Sequence, residues 1–211
     1  MKDKQLRDGS LYEYRYRYRA RRSSSLFVLV LGLIVVAALC FRIYWTSTFG
    51  GVYVDGMSMY PTLETGDELL MKYGNDAERG DVIVLDVRHY GFSGTQFLIK
   101  RLIATEGDAV YCEDGQVYIR YAGTDEFTAL YEPYAHSEYP YDFGLYEVGA
   151  DEIFFLGDNR TNSRDSRYME GLSHLEDSLY TVDDIYGVVP DWSVRFKSIL
   201  RWLPGMRVSH S

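Results

Sequence analysis

Cysteine and histidine are scarce in this chain: its 211 residues include two of the first and four of the second. Cys40 and Cys112 are the only pair available for a disulfide, and Cys40 lies inside an apolar run, which argues against a disulfide-stapled scaffold. His89, His136, His174 and His210 stand scattered, with no His-Glu-x-x-His and no metal-ligand spacing. Neither a metalloprotease nor any metal or cofactor is therefore expected. Basic residues are missing where a nucleic-acid binder needs them. Residues 1–22 hold eight Lys/Arg against three Asp/Glu, so the total of −9 leaves −14 for residues 23–211. Phosphate neutralisation requires a basic face, and no nucleic-acid partner is expected of so acidic a body. Absent too are a Gly-x-Ser-x-Gly elbow, a Ser-x-x-Lys tetrad and any internal repeat.

What is present begins with length and apolarity. Residues 26–40 read LFVLVLGLIVVAALC, and Phe41, Ile43, Tyr44 and Trp45 prolong the run to 20 residues interrupted by Arg42. That length suits one transmembrane helix, with Arg42 snorkelling and Tyr44 and Trp45 at the interface. A cleaved secretory signal would end in a small-x-small site, and the sequence there is CFRIYWTSTFG. A lipoprotein signal would need a small residue before Cys40, where Leu39 stands, and an amphipathic surface helix would need a polar face. The stretch RYRYRARR at 15–22 places the N-terminus in the cytoplasm by the positive-inside rule. The expected organisation is a basic cytoplasmic tail at 1–22, a membrane helix at 23–45 and an extracytoplasmic domain at 46–211.

After Trp45 the pattern turns to strands. Runs at 82–87, 97–104, 109–111, 116–121, 152–156 and 186–189 are β-rich and separated by Gly, Asp and Asn. They predict a mostly antiparallel β domain. Residues 124–150 are rich in Tyr, Glu and Pro with little period-2 alternation, and read as an insertion or extended loop.

Ser58 lies just beyond the apolar run in VDGMSMYPTL, residues 54–63. A serine nucleophile needs a base. Lys100, within FLIKRLI at 97–103, shares a strand face with Leu98 and Leu102, and burial there would lower its pKa by disfavouring the ammonium. A neutral lysine can accept a serine proton. The third segment, GDNRTNSRDSR at 157–167, follows the apolar strand IFFL and concentrates ion-pairing and hydrogen-bonding groups in one loop, as a rigid support for a site would.

Four motifs in order, Ser-Met-x-Pro-Thr, Arg-Gly-Asp at 79–81, Lys-Arg followed by Gly-Asp at 107–108, and Gly-Asp-Asn-Arg-x-x-Ser-x-Asp-Ser-Arg, closely resemble type I signal peptidases over residues 50–189 and the anchor. The resemblance implies a β-rich domain with a large twisted antiparallel sheet. It implies Ser58 as nucleophile and Lys100 as general base, with Ser163 bonding the lysine, Asp165 and Arg167 holding the site in shape, and Met59 and Pro61 setting the backbone around the nucleophile. Gly56 stands where some members carry a serine that donates to the oxyanion hole, so here the hole is expected to rest on backbone N–H groups, that of Ser58 among them. Thr105-Glu106 replaces the usual Leu-Pro or similar pair, a loop variation. The substrates implied are exported preproteins cut after small-x-small residues; membrane lipid is the other expected partner, and a monomer is the expected state. A self-cleaving repressor-type Ser/Lys peptidase is similar in dyad and fold but has no membrane anchor. A membrane-anchored binding or assembly protein on the same scaffold would have lost Ser58 or Lys100, and both are present.

Overall fold

Some twenty apolar side chains in sequence can sit in lipid only if each backbone N–H and C=O is satisfied within the segment, which a helix does. The computed structural model describes residues 2–88, 97–167 and 180–197, with 2–24 described by their backbone alone. It carries one long helix, α1 (Lys2–Thr48), whose part Ser25–Thr48 contains an 18-residue stretch of mean hydropathy 2.9 and is long enough to cross a membrane. The Arg/Tyr alternation near the N-terminus belongs to the same helix, which also continues beyond the expected end at residue 45. The chain divides into two units, Met1–Ser47 and Thr48–Ser211.

The second unit is built on two antiparallel sheets. One has six strands in the order β1 (Phe49–Tyr53), β2 (Glu68–Tyr73), β10 (Ile185–Val189), β3 (Val82–Asp86), β4 (Phe97–Thr105) and β9 (Ile153–Leu156). The other has four, in the order β7 (Thr128–Ala129), β6 (Gln116–Arg120), β5 (Ala109–Glu113) and β8 (Phe143–Glu147). A 3-10 turn (Val182–Asp184) leads into β10, and the short helix α2 (Asp191–Arg195) follows it.

Strand β3, VIVLD, is apolar at four consecutive positions because both of its faces are covered. Val82 and Val84 pack with Val54, Met59, Leu63, Leu69, Met71 and Val189. Ile83 and Leu85 turn the other way, onto Leu102, Phe155, Tyr180 and Ile185, as the two-residue period of a strand requires. A third cluster joins the sheets, with Ile103, Ala104, Phe154 and Leu156 of β4 and β9 against Val110, Cys112, Val117 and Ile119 of β5 and β6.

Six expected strands appear, as β3, β4, β5, β6, β9 and β10, and the fold is mostly β as anticipated. The strands form two antiparallel sheets, the larger of six strands and the smaller of four. Residues 124–150, read as an insertion or loop, contribute β7 and β8 to the smaller sheet, where Glu147 and Tyr146 of β8 pair with Ala109 and Val110 of β5. Their sequence hid this because β8, FGLYE, sets Phe143 and Tyr146, three positions apart, against Phe154 of the core, so that no two-residue alternation marks the strand.

Candidate active site

Lys100 lies near the middle of β4, paired with Ile83 of β3, while its neighbour Arg101 pairs with Leu156 of β9. Strands on both sides fix its backbone. The side chain is 2% exposed, and Nζ donates hydrogen bonds to Ser58 Oγ at 2.7 Å and to the Ile99 carbonyl at 3.0 Å. Burial pushes the Lys100 ammonium down from 10.5 to about 8, while the Asp165 and Asp158 carboxylates pull it partly back. Ser58 itself is half-buried, on the turn between Gly56 and Leu63.

That turn is anchored from below. Met59 and Leu63 enter the core, and the Leu63 N–H donates to the Met59 carbonyl at 2.8 Å. Tyr60-Pro61 is a cis peptide. Gly56 has φ +115°, a region closed to most L residues, and no atom lies within 4 Å of a Cβ placed there. The Thr65 hydroxyl ties it down, accepting from the Gly56 N–H at 3.0 Å and donating to its carbonyl at 3.1 Å. The Gly56 amide is therefore already engaged, whereas among the described residues no acceptor faces the Ser58 N–H.

The loop 157–167 holds the serine turn from the other side. The Asn159 N–H donates to the Ser58 carbonyl at 3.0 Å and its Nδ2 to the Met57 carbonyl at 3.1 Å. Gly157 allows this approach, since a Cβ there would fall 2.4 Å from the Ser58 carbonyl oxygen and 2.1 Å from Ser163 Oγ. Asp165 accepts from the Gly157 N–H at 3.0 Å and from Arg167 Nε at 2.7 Å, and Arg167 donates onward to the Arg160 carbonyl at 2.8 Å. Asp165 and Arg167 are thus paired with each other inside the loop. Ser163 departs from expectation. Its hydroxyl is buried against Gly157 and has no hydrogen-bond partner, so the bond expected from Ser163 to Lys100 is not formed. The Lys100 amine takes the Ile99 carbonyl instead.

Further residues meet here without having been singled out in the sequence. Arg101 donates to Asp158 through Nε at 2.8 Å and Nη2 at 2.6 Å, a buried bidentate pair that Thr62 joins through its hydroxyl at 2.5 Å. Arg160 and Glu132 form a second such pair at 3.1 and 2.6 Å. Arg101, Asp158 and Arg160 lie inside the motifs quoted above, so their positions carried a signal. Glu132 carried none. Of the histidines, His136 packs its ring against Tyr60 at 5.5 Å between centroids, and His89, His174 and His210 lie outside the described residues. Among the described residues no cluster of His, Cys, Asp or Glu could hold a metal ion, and Cys40 and Cys112 are both free thiols.

A serine hydroxyl in contact with a buried, easily deprotonated lysine is the arrangement of a serine hydrolase whose base is an amine. The family model described as signal peptidase, peptidase S26, matches residues 26–201. The chain is similar to signal peptidase I S of Bacillus subtilis (strain 168), at 35% identity over 66% of this chain and 77% of that one. It is also similar to signal peptidase I of Leptolyngbya laminosa, at 31% over 84% and 79%, and to signal peptidase I U of Bacillus subtilis (strain 168), at 33% over 73% and 83%. This chain belongs to the signal peptidase family, peptidase S26, whose members are serine endopeptidases. It is a membrane-anchored peptidase of the type I signal peptidase kind.

Proposed function

We propose that Ser58 is the nucleophile and Lys100 the general base of this peptidase, and that it cuts exported preproteins after small-x-small residues. One observation carries the assignment: Lys100 Nζ lies 2.7 Å from Ser58 Oγ in a setting that brings its pKa to about 8. While Lys100 is an ammonium, Nζ donates to the serine. Once it is neutral the bond reverses, and the hydroxyl donates to the nitrogen lone pair. Ser58 Oγ then attacks the scissile carbonyl carbon as its proton passes to Nζ. The Ser58 N–H faces the oxyanion that forms, in the role expected of a backbone donor. Collapse expels the new N-terminal amine, which takes the proton back from Nζ. Water deprotonated by the same nitrogen releases the acyl group and restores the hydroxyl. The Ile99 carbonyl orients the amine, a task that a carboxylate performs for histidine in other serine enzymes.

The basic segment at 15–22 and the acidic body support a cytoplasmic N-terminus and a catalytic unit on the far face of the membrane, with lipid around the apolar helix. The test is incubation of the detergent-purified chain with a preprotein, followed by sequencing of the new N-terminus. Cleavage after a small-x-small triplet is expected, with Ser58→Ala and Lys100→Ala each lowering the rate by several orders of magnitude and the double variant scarcely worse. A Lys100→Ala enzyme that kept much of the wild-type rate would remove the lysine from the mechanism.

A further inference from the structure

The segment 132–141 reaches the loop that supports Ser58 and does so mostly through buried groups. Glu132 and Arg160 side chains are 7% and 1% exposed and face each other in a two-point pair. Arg160 is the hub of the loop: its Nε donates to the Gly157 carbonyl at 3.0 Å, its Nη1 to the Tyr141 hydroxyl, and its own carbonyl takes Arg167. Backbone contacts run alongside, with the His136 N–H donating to the Asp158 carbonyl and the Arg160 N–H to the His136 carbonyl, both at 2.7 Å. Tyr134 closes the set, its hydroxyl donating to Glu132 at 3.2 Å and its ring lying 3.8 Å from the Arg101 guanidinium.

We infer that Glu132 is a positioning residue of the active site, a carboxylate from outside the catalytic motifs that fixes Arg160 and through it the loop carrying Asp158, Asn159 and Asp165. The inference rests on the Ser58/Lys100 reading. Its chain of contacts is short. Arg160 holds the Gly157 carbonyl, the N–H of the same Gly157 binds Asp165, and Asn159 two residues on holds the Ser58 carbonyl. The charges bear on Lys100 in one direction. Ser58, Asp158 and Asp165 face Lys100; Glu132, Tyr141, Tyr134, Arg101 and Cys112 surround Arg160. Without the Glu132 charge, Arg160 is a buried cation lacking its carboxylate. A loop loosened in this way lets Asp165 and Asp158 retreat from Lys100, which disfavours its ammonium.

Glu132→Gln, which keeps shape and removes charge, is expected to lower kcat by ten- to a hundredfold with KM changed less than threefold. It should also move the rise of kcat/KM to lower pH by at least half a unit. A partial loss of folded enzyme would scale the whole profile without moving it. Glu132→Asp, one methylene shorter, should lie between wild type and Glu132→Gln in both readouts, and it decides the matter if the glutamine variant does not fold. A kcat and a pH profile unchanged in the folded variants would overturn the inference. Failure of the dyad reading would look different: Ser58→Ala would stay active and the wild-type profile would show no lysine limb.

Discussion

Replacing Lys100 by methionine should stabilise the protein, and by an amount that depends on pH in a calculable way. Methionine fills a similar volume without a charge to desolvate. The ammonium in the folded state titrates near 8 against 10.5 for an exposed lysine. The folded pKa lies below the unfolded one, so the unfolded chain holds more protons between the two values, and stability attributable to this group rises with pH. The destabilisation is fully present below about pH 8, fades from there to 10.5, and is absent above it. A depression of about 2.5 units corresponds to about 3 kcal/mol at full ionisation. Linkage over that range makes the advantage of methionine over lysine about 2.5 kcal/mol larger at pH 6.5 than at pH 10. Comparing the two proteins at each pH cancels the titration of every other group. The assay is urea unfolding of the detergent-solubilised chain, read by near-ultraviolet circular dichroism, with unchanged m-values as the sign that the same transition is measured. An advantage of equal size at both pH values, or one larger at pH 10, would show that Lys100 is not desolvated in the folded protein. The methionine variant should be inactive throughout, so this lysine is an instance of stability given up for chemistry.

Three further outcomes are expected. The kcat/KM of the wild type should rise through about pH 8 as Lys100 loses its proton, and chelators should leave it unchanged; an optimum below pH 6 would contradict a lysine base. Gly56→Val should lower kcat at least tenfold, and Gly56→Ser should lower it too despite its added hydroxyl, because φ of +115° strains any side chain whatever the open space around it; wild-type rates with an unchanged circular dichroism spectrum would refute this. Protease added outside spheroplasts should degrade residues beyond about 49 while sparing a tag before Lys2, and a cytoplasmic C-terminal tag would invert the topology.

Where a chemical demand acts on neighbouring residues, the sequence reveals it. The apolar run of α1 and the strands VIVLD, FLIKRLI and IFFL are legible because lipid or a core faces them along their length. Ser58, Lys100, Asp165 and Arg167 are legible because their motifs resemble those of a known family. Glu132 is not, because its partner Arg160 lies 28 positions away and nothing around it marks a buried carboxylate among many exposed ones. Strand β8 is likewise silent, because its two core contacts, Phe143 and Tyr146, fall three positions apart across an irregularity in its ladder with β5. The free hydroxyl of Ser163 depends on a contact with Gly157 that only the folded loop defines.

With Lys100 as the base proposed above, its placement on a strand bordered on both sides makes catalytic activity a gauge of strand register. A slip of β4 by one residue against β3 would turn Lys100 to the opposite face of the sheet. A slip by two would restore the face but bring Leu98 or Leu102 to the place opposite Ile83 that Lys100 holds. Neither leucine can accept a proton, so a mispaired molecule is silent and not misdirected. For a membrane-anchored peptidase, errors of folding then cost yield without releasing an enzyme of altered specificity. An insertion or deletion within β4 should abolish activity for the same reason.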